Sequence, residues 1–162
     1  MTRRMIMATV ALLGFFVALY LALYKLGAIG SLSCTVGSCE TVQLSRWADF
    51  LGVPVAVWGV GFYTLTFALA LAGSTERFTD SRAVAVALVA VTGPGLIFSL
   101  WLTWLELFVI AAICMWCVVS AVLVAVLFVL GVQDLRERST ASGPSPGENG
   151  SPLSRGNGGE RE

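Results

Sequence analysis

Long apolar runs separated by polar segments dominate the pattern of this chain. Residues 5–26 and 54–73 are two such runs, and residues 83–131 form a longer one in which Glu106 is the only charged residue. A transmembrane α-helix needs about 20 apolar residues. The longest run exceeds one crossing, so we expect it to turn back within residues 107–112. The pattern therefore predicts four transmembrane helices, at residues 5–26, 54–73, 83–106 and 113–132.

The polar segments predict a loop and a tail. Residues 27–53 hold Gly, Ser, Thr, two cysteines and charged residues. Within them, residues 40–51 predict a short helix at the membrane interface, with Trp47 suited to the headgroup level. Residues 133–162 are rich in Gly, Ser and Pro and are expected to be disordered. The predicted fold is all-α: a polytopic membrane protein, built as a four-transmembrane-helix bundle with an outward loop that carries the interfacial helix.

Basic residues predict the orientation of this bundle. Cytoplasmic segments carry an excess of Lys and Arg, and Lys25 and Arg46 are the only basic residues on the loop side. We therefore expect a multi-pass protein of the inner (cytoplasmic) membrane, with cytoplasmic termini and all four cysteines at the outer face. The start of the chain also fits a signal peptide, but the length of the first run favours a retained helix. The basic residues that flank the helices on the terminal side are Arg3, Arg4, Arg77, Arg82, Arg136 and Arg138.

Composition narrows the classes of function. Apolar residues make up 57% of the chain and charged residues 12%, against about 25% charged in soluble domains, which indicates that the bilayer is its solvent. The net charge is zero, so no basic surface attracts nucleic acid. Histidine is absent, which removes the commonest metal ligand and general base. Cysteine, with four copies, is the reactive residue that remains.

The cysteines form two pairs of different spacing. Cys114 and Cys117 form a CxxC at the predicted start of the fourth helix, where residues three apart share a face and the helix N-terminus favours a thiolate. Cys34 and Cys39 lie in the outer loop. These pairs suit thiol–disulfide exchange. The alternatives are inert buried cysteines in the helix, a structural disulfide in the loop, or a four-cysteine zinc site.

Thiol oxidation requires an electron acceptor. The chain has no nucleotide-binding glycine motif and no haem attachment motif, whereas a lipid-soluble quinone reaches a helix bundle directly. Aromatic residues predict the wall of a quinone pocket, although interfacial belts account for aromatics equally well. Glu106 is either a functional intramembrane carboxylate or a marker of the turn. The aromatic candidates are Trp58, Phe62, Tyr63, Trp101, Trp104, Phe108 and Trp116.

The order of these features resembles the vitamin K epoxide reductase family, and its bacterial members in particular. The resemblance covers residues 5–132 and excludes the tail. It rests on four predicted helices, a Cys-x4-Cys loop after the first, and a CxxC that opens the last. The other matching positions are Ser45, the Gly52-Val53-Pro54 sequence, Gly59, Tyr63 and the segment Leu105 to Ile110.

The resemblance implies a thiol:quinone oxidoreductase that supports disulfide bond formation. It implies that Cys34 exchanges with a secreted thioredoxin-like protein, that Cys39 passes electrons to Cys114, and that Cys117 reduces a quinone, either ubiquinone or menaquinone. Ser45 matches a Ser/Thr position near the quinone in this family. We place Trp58, Tyr63 and Trp116 beside it as candidates. Many bacterial members carry a fused thioredoxin-like domain after the fourth helix. In this chain residues 133–162 are expected to be a disordered tail instead, which implies that the thioredoxin-like partner is a separate periplasmic or extracytoplasmic protein.

Two other readings stay open at this point. A DsbB-type disulfide oxidase has the same activity but places its CxxC in the first outer loop, the reverse of the order here. A non-catalytic membrane protein with a structural disulfide or a metal site predicts that Cys114 and Cys117 are replaceable without loss of function.

Overall fold

Four long helices form the body of the protein. The computed structural model describes residues 2–35, 37–75 and 81–141. Within these ranges, four helices are long and apolar enough to cross a membrane, which confirms the predicted fold class. They are α1 (Thr2–Lys25), α3 (Val55–Ala72), α4 (Arg82–Leu105) and α5 (Met115–Ala141), with a six-residue helix α2 (Cys39–Leu44) in the loop after α1.

Small residues allow the helices to approach one another closely. The first helix packs against α3 and α5, and α4 packs against α5. The ring of Tyr63 on α3 lies against Gly14 of α1, where a Cβ atom would stand 2.1 Å from a ring carbon. Gly59 faces Ala18 in the same interface. Such small-residue contacts are typical of helix packing in membranes, because lipid supplies no hydrophobic force between helices.

A buried ion pair closes one end of the bundle. Arg4 is 2% exposed and its guanidinium donates to Asp134 Oδ2 at 3.0 and 3.2 Å. The same side chain donates to the carbonyl oxygens of Gly73, after α3, and Ser81, before α4. Arg138 donates to Asp134 from one turn further along α5. The ends of all four long helices therefore meet at Arg4, as the predicted topology requires.

The last helix ends later than the apolar pattern predicts. It continues to Ala141, so the expected disorder from residue 133 is wrong for residues 133–141. Charge pairing explains the difference, because Asp134 is buried against Arg4 and Glu137 lies 2.8 Å from Arg3. Residues 142–162, the rest of the predicted tail, lie outside the described residues, as does Arg77.

The loop between α1 and α3 is divided into shorter elements than the predicted single helix over residues 40–51. Helix α2 stops at Leu44 because Ser45 is extended, and a 3₁₀ turn of residues 46–48 follows. A two-residue strand pair, Asp49–Phe50 with Val53–Pro54, then leads into α3. Lys25, in the last turn of α1, donates to the Gln43 carbonyl at 2.7 Å and pairs with Asp49 at 3.2 Å. These contacts hold the loop against the C-terminal end of α1.

The link between the third and fourth long helices lies where the sequence predicts it. A π-helical turn, Glu106–Ile110, extends α4, and Ala111 then takes a left-handed conformation with φ 52°. The Ala112 N–H donates to the Glu106 carbonyl at 3.1 Å and closes the turn. Helix α5 begins at Met115, so Cys114 lies immediately before it and Cys117 lies in its first turn.

Candidate functional site

The four cysteines, far apart in sequence, lie in one cluster at one end of the bundle, beside the loop that follows α1. Cys39 and Cys114 are buried at 1% and 0% exposure in the same apolar cluster, and Cys34 and Cys117 pack against it. Cys34 and Cys39 form a disulfide with their Cα atoms 6.4 Å apart, whereas Cys114 and Cys117 are free thiols. The loop pair is therefore oxidised while the helical pair is reduced.

Backbone contacts hold the disulfide loop against the link before α5. Gly37 forms an isolated antiparallel bridge with Cys114, and the Ser38 N–H donates to the Ile113 carbonyl at 3.0 Å. Gly37 has φ +90°, and a Cβ atom there would stand 2.2 Å from the same carbonyl oxygen. The sequence pattern did not predict this contact of Gly37. The one available signal was its place between two cysteines.

The two residues inside the CxxC also attach to the loop. The Trp116 indole N–H donates to the Ser33 carbonyl at 3.1 Å, and its ring meets Tyr20 edge-on at 5.5 Å. The Tyr20 hydroxyl in turn accepts the Ser33 N–H at 2.9 Å. Thr35 donates to the sulfur of Met115 at 3.4 Å. Met115 and Trp116, the two residues between Cys114 and Cys117, thus contact Thr35 and Ser33, which lie on either side of Cys34.

An apolar cavity of about 170 Å³ lies between the four long helices and the loop that follows α1. Cys117 lines it, as do three of the predicted quinone contacts, Ser45, Trp58 and Tyr63. Trp116, the fourth residue predicted beside the quinone, lies outside the lining of this cavity. The physical reason is its hydrogen bond to the loop, which directs the indole toward Tyr20 instead.

The three predicted contacts differ in how their polar atoms are held. Tyr63 is 1% exposed, and its hydroxyl hydrogen bonds the backbone and side-chain oxygens of Ser120 at 3.0 and 2.9 Å. Ser45 donates to the Val42 carbonyl at 2.7 Å. The Trp58 indole N–H donates to the Phe50 carbonyl at 3.3 Å. These bonds fix the wall of the cavity before any ligand enters.

Two polar side chains, Glu106 and Gln43, converge on the CxxC. Glu106 is 4% exposed, accepts the Cys114 N–H at 3.0 Å and hydrogen bonds the Cys117 thiol. The amide of Gln43 donates to Cys117 Sγ at 3.7 Å. The sequence alone leaves both a functional role and a turn-marking role open for Glu106. It does not predict the contact of Gln43, since nothing in the pattern distinguishes this glutamine from the other polar residues of the loop.

The environment of Cys114 favours its thiolate. The hydrogen bond from the Cys117 side chain lowers the pKa of the Cys114 thiol below its ordinary value of 9.0. Burial and the negative charge of Glu106 act in the opposite direction, and they do not cancel that effect. A thiol that ionises easily is a good leaving group in disulfide exchange.

A family model described as the vitamin K epoxide reductase family matches residues 5–132. The chain belongs to the vitamin K epoxide reductase family. The match confirms the resemblance seen in the sequence and spans both cysteine pairs, the cavity and Glu106. Vitamin K epoxide reductase family members are multi-pass membrane oxidoreductases that link thiols to a quinone and generally act with thioredoxin-like proteins.

Proposed function

We propose that this protein oxidises a thioredoxin-like partner at the outer face of the inner membrane and passes the electrons through its two cysteine pairs to a quinone. One observation carries the proposal. Cys117 packs against the cluster that holds the loop disulfide and also lines the apolar cavity. It therefore lies between the thiol chemistry of the loop and a site open to a lipid-soluble acceptor.

The cavity fits the ring of a quinone. Its lining is mainly apolar and aromatic, as is usual for small-molecule sites. Its volume of about 170 Å³ is below the range of about 300–1,000 Å³ for pockets that enclose whole ligands. That size suits a ring whose isoprenoid tail stays in lipid. Ser45, Trp58 and Tyr63 are the residues that would hold the ring, which serves as acceptor of two electrons and two protons.

The difference in burial of the loop cysteines supports a direction of transfer. Cys34 is partly exposed, whereas Cys39 is buried beside Cys114. We assign the first step to a partner thiolate that attacks Cys34 and releases Cys39. The second partner cysteine then breaks the mixed disulfide, so the partner leaves oxidised and the loop pair is left as two thiols.

The second transfer moves the electron pair into the helix. Cys39 attacks Cys114 of an oxidised CxxC, and Cys117 leaves as a thiolate. Cys34 then attacks Cys39, which closes the loop disulfide and releases Cys114. The lowered pKa of Cys114 favours its departure. The pairing in the structure, with a closed loop disulfide and a reduced CxxC, corresponds to the form produced by this step.

The test is quinone reduction by the purified protein with dithiothreitol as donor. We expect Cys117→Ala to abolish it, because the electrons then lack a sulfur at the cavity. Cys34→Ala should block reduction driven by a protein dithiol and spare much of the rate with dithiothreitol. Absence of quinone reduction by folded wild-type protein would refute the proposal, and equal loss in both assays for Cys34→Ala would refute the order of the relay.

A further inference from the structure

The carboxyl group of Glu106 lies at the point where the CxxC meets the cavity. The π-helical turn at the end of α4 directs this side chain inward, and it is 4% exposed. One oxygen accepts the Cys114 N–H at 3.0 Å, and the group also hydrogen bonds the Cys117 thiol while it lines the cavity. Burying a carboxyl group in an apolar bundle costs free energy, and this cost indicates that Glu106 has a role beyond marking a turn.

Gln43 approaches the same sulfur with the opposite hydrogen-bonding character. Its amide nitrogen lies 3.7 Å from Cys117 Sγ, and the residue is 6% exposed. The Lys25 ammonium binds the Gln43 carbonyl at 2.7 Å and so holds this residue in place. An amide N–H stabilises a thiolate, whereas a carboxylate accepts the proton that a thiol must lose. Cys117 therefore has both groups that its deprotonation requires.

We infer that Glu106 is a catalytic proton carrier, which takes the Cys117 proton and delivers it to an acceptor oxygen in the cavity, while Gln43 stabilises the Cys117 thiolate. This inference rests on the proposed function and adds the route of one proton to it. Among the described residues that line the cavity, Glu106 is the only carboxylate. The other titratable groups there are Cys117 and Tyr63, and the Tyr63 hydroxyl is bound to Ser120.

The step balances in electrons and protons. Cys114 and Cys117 lose two electrons and two protons as their S–S bond forms, and the quinone accepts both pairs to become a quinol. Glu106 receives the proton of Cys117, passes it to one quinone oxygen and returns to the carboxylate. Cys114 releases its proton to water, from which the second quinone oxygen takes one.

Glu106→Gln tests this role because the amide keeps the size of the side chain and still accepts the Cys114 N–H. With dithiothreitol as donor, we expect kcat for quinone reduction to fall at least about tenfold, since general acid–base groups contribute about 10²–10⁴. The KM for quinone should stay within about twofold, because the cavity wall is unchanged. Glu106→Asp should restore much of the rate. Glu137→Gln, the same substitution at the far end of the bundle, is the matched control.

A second readout needs no quinone. We would measure alkylation of Cys117 by iodoacetamide at one pH, with the CxxC reduced and the loop disulfide closed. Replacing the carboxylate by an amide removes a negative charge beside Cys117, so alkylation should become faster in Glu106→Gln although turnover becomes slower. A residue that only shapes the turn would not produce opposite changes in the two rates.

The outcomes separate this inference from the proposed function. Wild-type protein that reduces no quinone refutes the proposed function. The alkylation rates of Cys117 in wild type and in Glu106→Gln then still test the contact between Glu106 and Cys117. Wild-type activity with an unchanged kcat in Glu106→Gln, or with unchanged alkylation, refutes the proton-carrier role and leaves the proposed function standing. If Glu106→Gln does not fold, Glu106→Asp against Glu106→Asn gives the same comparison: equal rates overturn the inference, and a loss confined to Asn supports it.

Discussion

The two cysteines of the CxxC have different neighbours although they are three residues apart. Cys114 faces the loop disulfide through its backbone bridge to Gly37, and Cys117 faces the cavity beside Glu106 and Gln43. The α-helical start at Met115 separates them, since Cys114 precedes the helix and Cys117 belongs to its first turn. One motif thus places one cysteine beside the disulfide loop and the other at the cavity, the two sides of the proposed electron path.

The lowered pKa of Cys114 leads to a prediction about pH. With the loop disulfide closed, thiolate absorbance from Cys114 should appear at a midpoint below 9.0 and disappear as the pH falls through that midpoint. Cys117→Ala removes the hydrogen bond that lowers this pKa and leaves the burial that raises it, so its midpoint should move up. The measurement is an ultraviolet pH titration, with Cys114→Ala as the blank. An unchanged midpoint in Cys117→Ala would contradict the assigned cause.

Among the elements, the position of the loop between α1 and α3 could not be predicted from the sequence. The long helices were predictable because a bilayer requires about 20 apolar residues for each crossing. The place of the loop was not, because a bridge between Gly37 and Cys114 joins residues far apart in the chain and leaves no periodic signal. For the same reason Trp116 was predicted in the cavity, whereas its bond to Ser33 directs it toward the loop.

Gly37→Ala tests the contact between the disulfide loop and the link before α5. A Cβ atom would meet the Ile113 carbonyl, and φ +90° is unfavourable for alanine, at a cost of about 1–3 kcal/mol. We expect quinone reduction driven by a protein dithiol to fall by about tenfold, because the loop pair no longer reaches Cys114. Gly30→Ala is the control, since nothing lies within 4 Å of its added Cβ. Similar rates for the two variants would show that this contact is dispensable.

At the scale of the whole molecule, polar groups are concentrated at the two ends of an apolar bundle. One end holds the cysteines, Gln43 and Glu106, and the other end holds Arg4 and Asp134. In the first set, Gln43 and Glu106 lie beside the CxxC cysteines. The second set joins the ends of the four long helices. The extension of α5 past residue 132 follows from the second set and was not predictable from hydropathy, because Arg4 and Asp134 are 130 positions apart.

Asp134→Asn should destabilise the entire bundle. Breaking a buried ion pair by removing one charge costs about 3–5 kcal/mol, and the side chains of Arg4 and Asp134 are only 3% and 7% exposed. We expect a lower unfolding midpoint in detergent with an unaltered cysteine site. Glu137→Gln, which removes an exposed partner of Arg3, should cost at most about 1 kcal/mol. Equal losses from the two substitutions would contradict a central role for the buried pair.

The partners of Arg4 also bear on how the protein is made. Arg4 belongs to α1, which is synthesised before α5, the helix that holds Asp134. During synthesis, Arg4 therefore lies near the membrane surface without Asp134 until the three further long helices have been inserted. A chain that stalls before α5 keeps this charge without its carboxylate.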